Sequence, residues 1–146
     1  MGNIHITSLE DLLERSDYIS VHTPLNDNTR GFIGETELSR MKPSSYLINC
    51  ARGPIVDERA LYQALKSGTI AGAGLDVLED TEPRADNPLF ELDNVIVTPH
   101  VAFLSVESVN ELEVRTARAT RDVLLGQMPE FLVNPEVVPT SRITLH

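Results

Sequence analysis

Tryptophan is absent from these 146 residues, cysteine occurs once, and aromatic side chains make up only 5% of the chain. The lone Cys50 has no internal partner, so a disulfide framework is excluded and a reducing, cytoplasmic setting is expected. No apolar run approaches the roughly 20 residues that a membrane-spanning helix needs. The opening Met1-Gly2-Asn3-Ile4-His5 lacks the charged and apolar regions of a secretory leader. Ile6 stands where a myristoylation signal has Ser or Thr, and that modification is set aside. Positive charge is scarce. Twelve Lys and Arg face 22 Asp and Glu, and the net charge of −10 disfavours nucleic acid and anionic membranes as partners.

What remains is the composition of a globular α/β domain. With 41% hydrophobic and 23% charged residues, the chain can bury one modest core, and its length allows one domain at most. Strand-like and helix-like segments alternate without internal repeats. Ile4-His5-Ile6 reads as a short strand. Ser8 caps a helix with Asp11 three residues on and an apolar face of Leu9, Leu12 and Leu13. Further strands are expected over 18–22, 46–49, 71–77 and 95–98. A helix from Glu35 to Met41 stops before Pro43, because the residue preceding proline disfavours helical geometry. Asp57 caps a helix over Glu58 to Lys66 that turns Ala60, Leu61, Ala64 and Leu65 to the sheet, with Gly68 just past its end. A long helix from about Ser105 to Leu125 carries Val106, Val109, Leu112, Ala119 and Val123 at helical spacing and ends at Gly126. Strands separated by helices imply a parallel sheet with right-handed crossovers.

Three stretches couple an apolar, β-prone run to a charged or titratable residue where the run ends. They are Asn49-Cys50-Ala51-Arg52-Gly53, then Gly74-Leu75-Asp76-Val77 with Glu82-Pro83, then Thr98-Pro99-His100. The carboxyl ends of parallel strands are where such sheets bind ligands. Arg52 can clamp a carboxylate with two parallel hydrogen bonds. His100 can pass a proton near neutral pH, and Glu82 can orient its imidazole and favour the charged form. A lone arginine after a strand is usually a surface charge, and a lone histidine is usually structural. It is their joint delivery to one rim that suggests 2-oxo acid chemistry. Asp76 ends a buried strand, where an unpaired carboxylate is costly, so a hydrogen bond from a neighbouring loop is expected.

These stretches, with Ser8 to Leu13, Ser16 to Leu25, Asn28-Thr29-Arg30-Gly31, Met41-Lys42, Val56-Asp57-Glu58 and Asn94 to His100, carry a family pattern in order. The chain resembles the D-isomer-specific 2-hydroxyacid dehydrogenases, a family that includes phosphoglycerate dehydrogenase and the C-terminal-binding-protein corepressors. The resemblance implies the second half of a Rossmann-type NAD(P)-binding domain over residues 1–126, with residues 127–146 returning towards a substrate domain. It also implies an NAD- or NADP-linked oxidoreductase. Hydride passes between nicotinamide and C2 of a small D-2-hydroxy acid or 2-oxo acid.

Arg52, Glu82 and His100 are then catalytic. Pro24 and Thr29 lie on the adenosine side of the cofactor. Cys50, Ala51, Arg52, Asp76, His100 and Phe103 lie on the nicotinamide side, and no metal ligand set is assigned. Phe103 falls where the family more often has a glycine-bearing pattern. The stretch from Asp76 to Glu82 is one residue longer than the family pattern, which keeps Glu79 and Asp80 as alternatives to Glu82. The family's glycine-rich phosphate loop, G-x-G-x-x-G, does not occur in the sequence; Gly72-Ala73-Gly74 sits inside a strand-like run instead. A corepressor-like interaction protein and an inert dehydrogenase remnant are the alternative readings. The expected neighbour of strand 18–22 is outside the chain, so that edge and the Leu9, Leu12 and Leu13 face are expected to be exposed and to drive homo-oligomer formation.

Overall fold

The computed structural model describes residues 4–83 and 85–136. Four short strands form one wholly parallel sheet in sequential order: β1 (Tyr18–Val21), β2 (Tyr46–Asn49), β3 (Gly72–Leu75) and β4 (Val95–Val97). The register places Tyr18 beside Tyr46 and Tyr46 beside Gly72 at the amino ends, and Val21 beside Asn49 and Asn49 beside Leu75 at the carboxyl ends. Parallel neighbours need a crossover between them. The first two crossovers carry helices α2 (Glu35–Arg40) and α3 (Glu58–Ser67), while the β3-to-β4 crossover carries only a 3-10 turn at Pro88–Glu91. A first helix, α1 (Leu9–Arg15), precedes β1.

The local signals act as the sequence suggests. The Ser8 hydroxyl accepts from the Asp11 amide at 3.2 Å, and the Asp57 carboxylate accepts from the Ala60 amide at 2.9 Å. Each satisfies a backbone donor that a helix start leaves open. Gly68 closes α3 with φ +72°, a conformation that costs glycine nothing and other residues a steric clash.

Burial follows the two-residue period of a strand. Ile19, Val21, Leu47, Asn49, Ala73 and Leu75 point into the core, which Leu13 of α1, Leu38 of α2, and Leu61, Ala64 and Leu65 of α3 complete. Helices α1, α2 and α3 pack side by side on this face. The alternate residues lie on the other face, where Tyr18 and Tyr46 stack with centroids 5.5 Å apart and Ile96 is 72% exposed.

Two expectations are corrected. Ile4-His5-Ile6 is not a strand. Ile4 and Ile6 are almost wholly exposed, for a strand needs a neighbour to take its backbone hydrogen bonds and none lies beside this segment. Leu13 is buried at 1% exposure, because the core formed with α2 already covers it; of the α1 face only Leu12 reaches open solvent appreciably.

The chain divides between Ala102 and Phe103 into two compact units. The second contains α4 (Val106–Leu124), opened by a Ser105–Ser108 capping box and followed by Gly126 at φ +70°. No residue of α4 is buried, and Val106 and Leu112 of the expected apolar face are more than half exposed. The expected tail begins within this unit, and its residues 137–146 lie outside the described residues.

One contact joins two loops that leave the carboxyl rim. Gly53, in a 3-10 turn at Gly53–Ile55, lies so close to the Leu78 backbone that a Cβ there would sit 1.7 Å from the Leu78 carbonyl oxygen and 2.6 Å from the Glu79 nitrogen. Backbone on both sides leaves no flexible side chain to yield. Gly53→Ala should therefore lower unfolding stability by about 1–3 kcal/mol or more, as overpacked sites do, measured as a reduced urea midpoint with an unchanged slope.

Candidate active site

The carboxyl ends of β2, β3 and β4 deliver the sequence's three stretches to one rim, and the loops after β2 and β4 are each folded around a buried polar side chain. After β2, Asn49 is 1% exposed. Its amide nitrogen donates to the Arg52 carbonyl at 3.1 Å and its oxygen accepts from the Ala51 amide at 3.1 Å. This small ring fixes the turn Cys50-Ala51-Arg52. Cys50 is exposed with a free thiol, and Ala51 packs partly against the core. Arg52 is exposed, and its guanidinium donates back to the Ala51 carbonyl at 2.6 Å. Asn49 is not among the expected site residues, although its position as the last residue of a buried strand marks it as a side chain that needs partners.

After β3 comes Asp76, 4% exposed, with the loop hydrogen bonds its burial demands. Its carboxylate accepts from the Thr98 hydroxyl, from the Val101 amide at 2.8 Å and from the Ala102 amide at 3.0 Å. The Asp76 carbonyl also accepts from the His100 amide at 2.9 Å. The chain beyond β4 thus wraps around one acid. His100 sits at the apex with φ +57°, the one non-glycine residue at positive φ among those described. A non-glycine residue there costs of order 1–2 kcal/mol, and the Asp76 hydrogen bonds on both sides of it hold the turn in place. Burial by itself raises the Asp76 carboxyl. The bonds from Thr98, Ala102 and Val101, with attraction to His100, outweigh it and hold the carboxyl below its ordinary value of 3.8.

Asp76 and His100 share a cavity of about 450 Å³. Thr98 and Pro99 line it with them, Val77, Leu78, Val97 and Phe90 give it apolar walls, and Asp80, Thr81 and Pro83 close one side. Of the acidic trio, Asp80 therefore lines the cavity with His100. Glu82 lies between two lining residues and is exposed, its amide held by the Asp80 carboxylate at 3.1 Å. Glu79 borders a smaller crevice with Glu58 and Gly53. Arg52 is not among the cavity's lining residues. At the end of β1, the Thr29 hydroxyl donates to the Pro24 carbonyl at 2.6 Å and accepts from the Asn26 amide at 2.8 Å, so it is engaged within its own turn. Phe103 opens the second unit, and its carbonyl accepts the Ser108 hydroxyl at 2.6 Å.

A parallel sheet whose carboxyl rim carries a cavity, a buried aspartate and a histidine is the ligand-binding edge of a Rossmann-type nucleotide-binding domain. Residues 2–102 match the NAD binding domain of D-isomer specific 2-hydroxyacid dehydrogenases. The chain belongs to this family. It is 46% identical over 136 residues to the glyoxylate reductase of Thermofilum pendens, covering 93% of this chain and 40% of that protein. It is 41% identical over 143 residues to the D-3-phosphoglycerate dehydrogenase of Methanocaldococcus jannaschii, covering 98% of this chain and 27% of that one. The NAD-complexed crystal structure of a D-isomer specific 2-hydroxyacid dehydrogenase from Lactobacillus delbrueckii ssp. bulgaricus superimposes with a TM-score of 0.80 at 37% identity, over 87% of this chain and 43% of that one. The chain thus spans well under two thirds of the length of the relatives it matches.

The depressed Asp76 carboxyl has a consequence for stability. Its contribution is fully present above the ordinary value of 3.8 and is lost as pH falls through the lower folded value. Asp76→Asn should be clearly less stable than the parent at pH 7. The gap should narrow as pH falls below 3.8, read by urea midpoints between pH 7 and pH ~2.5. A gap independent of pH would show that the charge on Asp76 does not matter.

Proposed function

We propose that this chain supplies the nicotinamide side of an active site that moves hydride between NAD and C2 of a small D-2-hydroxy acid or its 2-oxo acid. The observation that carries the reading is the Asp76-centred turn, which holds His100 at positive φ on the wall of an amphipathic cavity. The cavity suits the nicotinamide end of a dinucleotide, for it sets apolar walls against a carboxylate, a hydroxyl and an imidazole. When bound there, the cofactor supplies or accepts the hydride. On this reading Asp76 and His100 flank the nicotinamide in the cavity, Cys50, Ala51 and Arg52 approach it from the neighbouring loop after β2, and Pro24 and Thr29 lie on the adenosine side. The pyrophosphate cradle of such domains is a glycine-rich loop that the 146 residues do not contain.

The chain's own residues do the rest. Arg52 binds the substrate carboxylate through its planar fork and polarises the C2 carbonyl. In reduction, the His100 imidazolium gives its proton to the carbonyl oxygen; in oxidation, neutral His100 takes the hydroxyl proton. Glu82 accepts from the imidazole and stabilises its charged form. The relatives' names support a small substrate, since the Thermofilum protein is a glyoxylate reductase. A cytoplasmic location fits a chain whose one cysteine is free and exposed.

The test is a chimera in which this chain replaces the matching segment of the Thermofilum enzyme. The parent chimera should reduce glyoxylate with NADH, whereas the 146 residues alone should show no turnover above background. Arg52→Lys should lower kcat/KM by about 100-fold or more through lost bidentate binding. His100→Gln should lower kcat by about 10²–10⁴ while sparing NADH binding. Glu82→Gln should lower kcat, and a greater effect from Asp80→Gln or Glu79→Gln would move the role to that carboxylate.

We also propose that the chain associates with itself. Among the described residues strand β1 pairs only with β2, so its second edge presents open backbone donors and acceptors, with Tyr18 about 70% exposed on the adjoining face. Open β1 edges related by a two-fold axis would pair and continue the sheet across both copies. Sedimentation of the 146-residue chain should show a dimer at micromolar concentration, and a well-folded monomer there would defeat the idea.

A further inference from the structure

The loop that bears Glu79, Asp80 and Glu82 is anchored at both feet by one side chain to which the catalytic reading gives no role. Glu58 is the first residue of α3, directly beyond the Arg52 turn. One carboxylate oxygen of Glu58 accepts from the Glu79 amide at 2.9 Å, where the loop leaves β3. The other accepts from the Asn87 side-chain amide at 2.7 Å, where the loop re-enters the 3-10 turn at Pro88–Glu91. These bonds join residues 21 and 29 positions apart. Asn87 is itself fixed, for its side-chain oxygen caps the Leu89 amide at 2.9 Å. The same loop start is pressed against Gly53, close enough to exclude a Cβ.

We propose that Glu58 is a positioning residue that clasps both feet of the acidic loop and holds it to the Arg52 turn, and so decides which carboxylate faces His100. The inference rests on the reading that this loop carries the histidine's carboxylate partner. The chemistry favours a carboxylate at position 58. It has two acceptor oxygens and no donor, so each foot receives its own acceptor. Glutamine has one neutral acceptor for two donors, so its NH₂ meets either the Asn87 NH₂ or the Glu79 N–H; either way one foot is released and the Glu79 bond is lost or stripped of its charge assistance. Reversing the polarity of the pair mends it. In Glu58→Gln/Asn87→Asp the glutamine still accepts from the Glu79 amide. Its NH₂ donates to the carboxylate introduced at position 87, whose second oxygen caps the Leu89 amide.

NMR on the 146-residue chain tests this with four proteins: the parent, Glu58→Gln, Glu58→Gln/Asn87→Asp, and Glu82→Gln. Glu58→Gln should speed hydrogen exchange of the Glu79 amide by about tenfold or more, the loss of a charge-assisted bond at a local opening. The Leu47 and Leu61 amides should be unaffected, which shows the fold intact. The ring C–H signal of His100 should move as it does in Glu82→Gln, and the reversed pair should shift both the exchange rate and this signal back towards the parent's values. Parent-like Glu79 exchange in Glu58→Gln overturns the clasp, and so does a reversed pair that fails to restore it. A His100 signal displaced by Glu82→Gln but not by Glu58→Gln overturns the positioning role. If Glu82→Gln leaves the His100 signal in place while the exchange results hold, the clasp stands and the choice of Glu82 falls.

Discussion

A parallel strand that ends in the middle of a domain leaves backbone groups with no neighbour to meet them, and those groups are too deep to be left to water. In this chain two buried polar side chains gather the amides and carbonyls of two of the rim's loops. Asn49 closes the turn after β2. Asp76, at the end of β3, does not serve its own loop; it reaches across to the turn after β4. Among the described residues no buried side-chain nitrogen or oxygen lacks a partner. The turns after β2 and β4 are held by that satisfaction of polar groups.

This division of labour bears on chemistry. The side chains proposed to meet substrate, Arg52, Glu82 and His100, are exposed, while those that place them, Asn49 and Asp76, are buried. Arg52 and His100 lie at the surface, where a ligand can reach them, while the Asn49 and Asp76 hydrogen bonds fix the backbone that carries them. A catalytic constellation needs that kind of support, since misplacement of about 1 Å can cost about 100-fold in rate. The Asp76 turn adds a cost of its own, the positive φ of His100, and such strain persists only where surrounding bonds over-determine it.

The sheet's two faces are treated differently. One is sealed by α1, α2 and α3 and contains the whole buried core; the other leaves Tyr18, Tyr46 and Ile96 open within its unit. Parallel sheets are ordinarily covered on both faces. Within this unit the aromatic pair and the β1 edge are apolar and hydrogen-bonding surface left open among the described residues.

Much of this was legible in the residues. Alternation in Tyr18–Val21 and Tyr46–Asn49, the caps at Ser8 and Asp57, and the stops at Pro43 and Gly68 are local signals, set within a few residues by sterics and by helix-end hydrogen bonds. They fixed the elements and their order, and the family pattern pointed to Arg52, Glu82 and His100. Ile4-His5-Ile6 failed as a strand because a strand is not a local object: its hydrogen bonds belong to a neighbour. The supports were hidden for the same reason. Nothing near Glu58 in sequence announces Glu79 and Asn87, and nothing near Asp76 announces Thr98, Val101 and Ala102. The sequence by itself determined the order of the elements and which strand ends carry Arg52, Asp76 and His100. Only the tertiary structure decided what holds them there, because hydrogen bonds between loops far apart in the chain exist only once the sheet has brought their ends together.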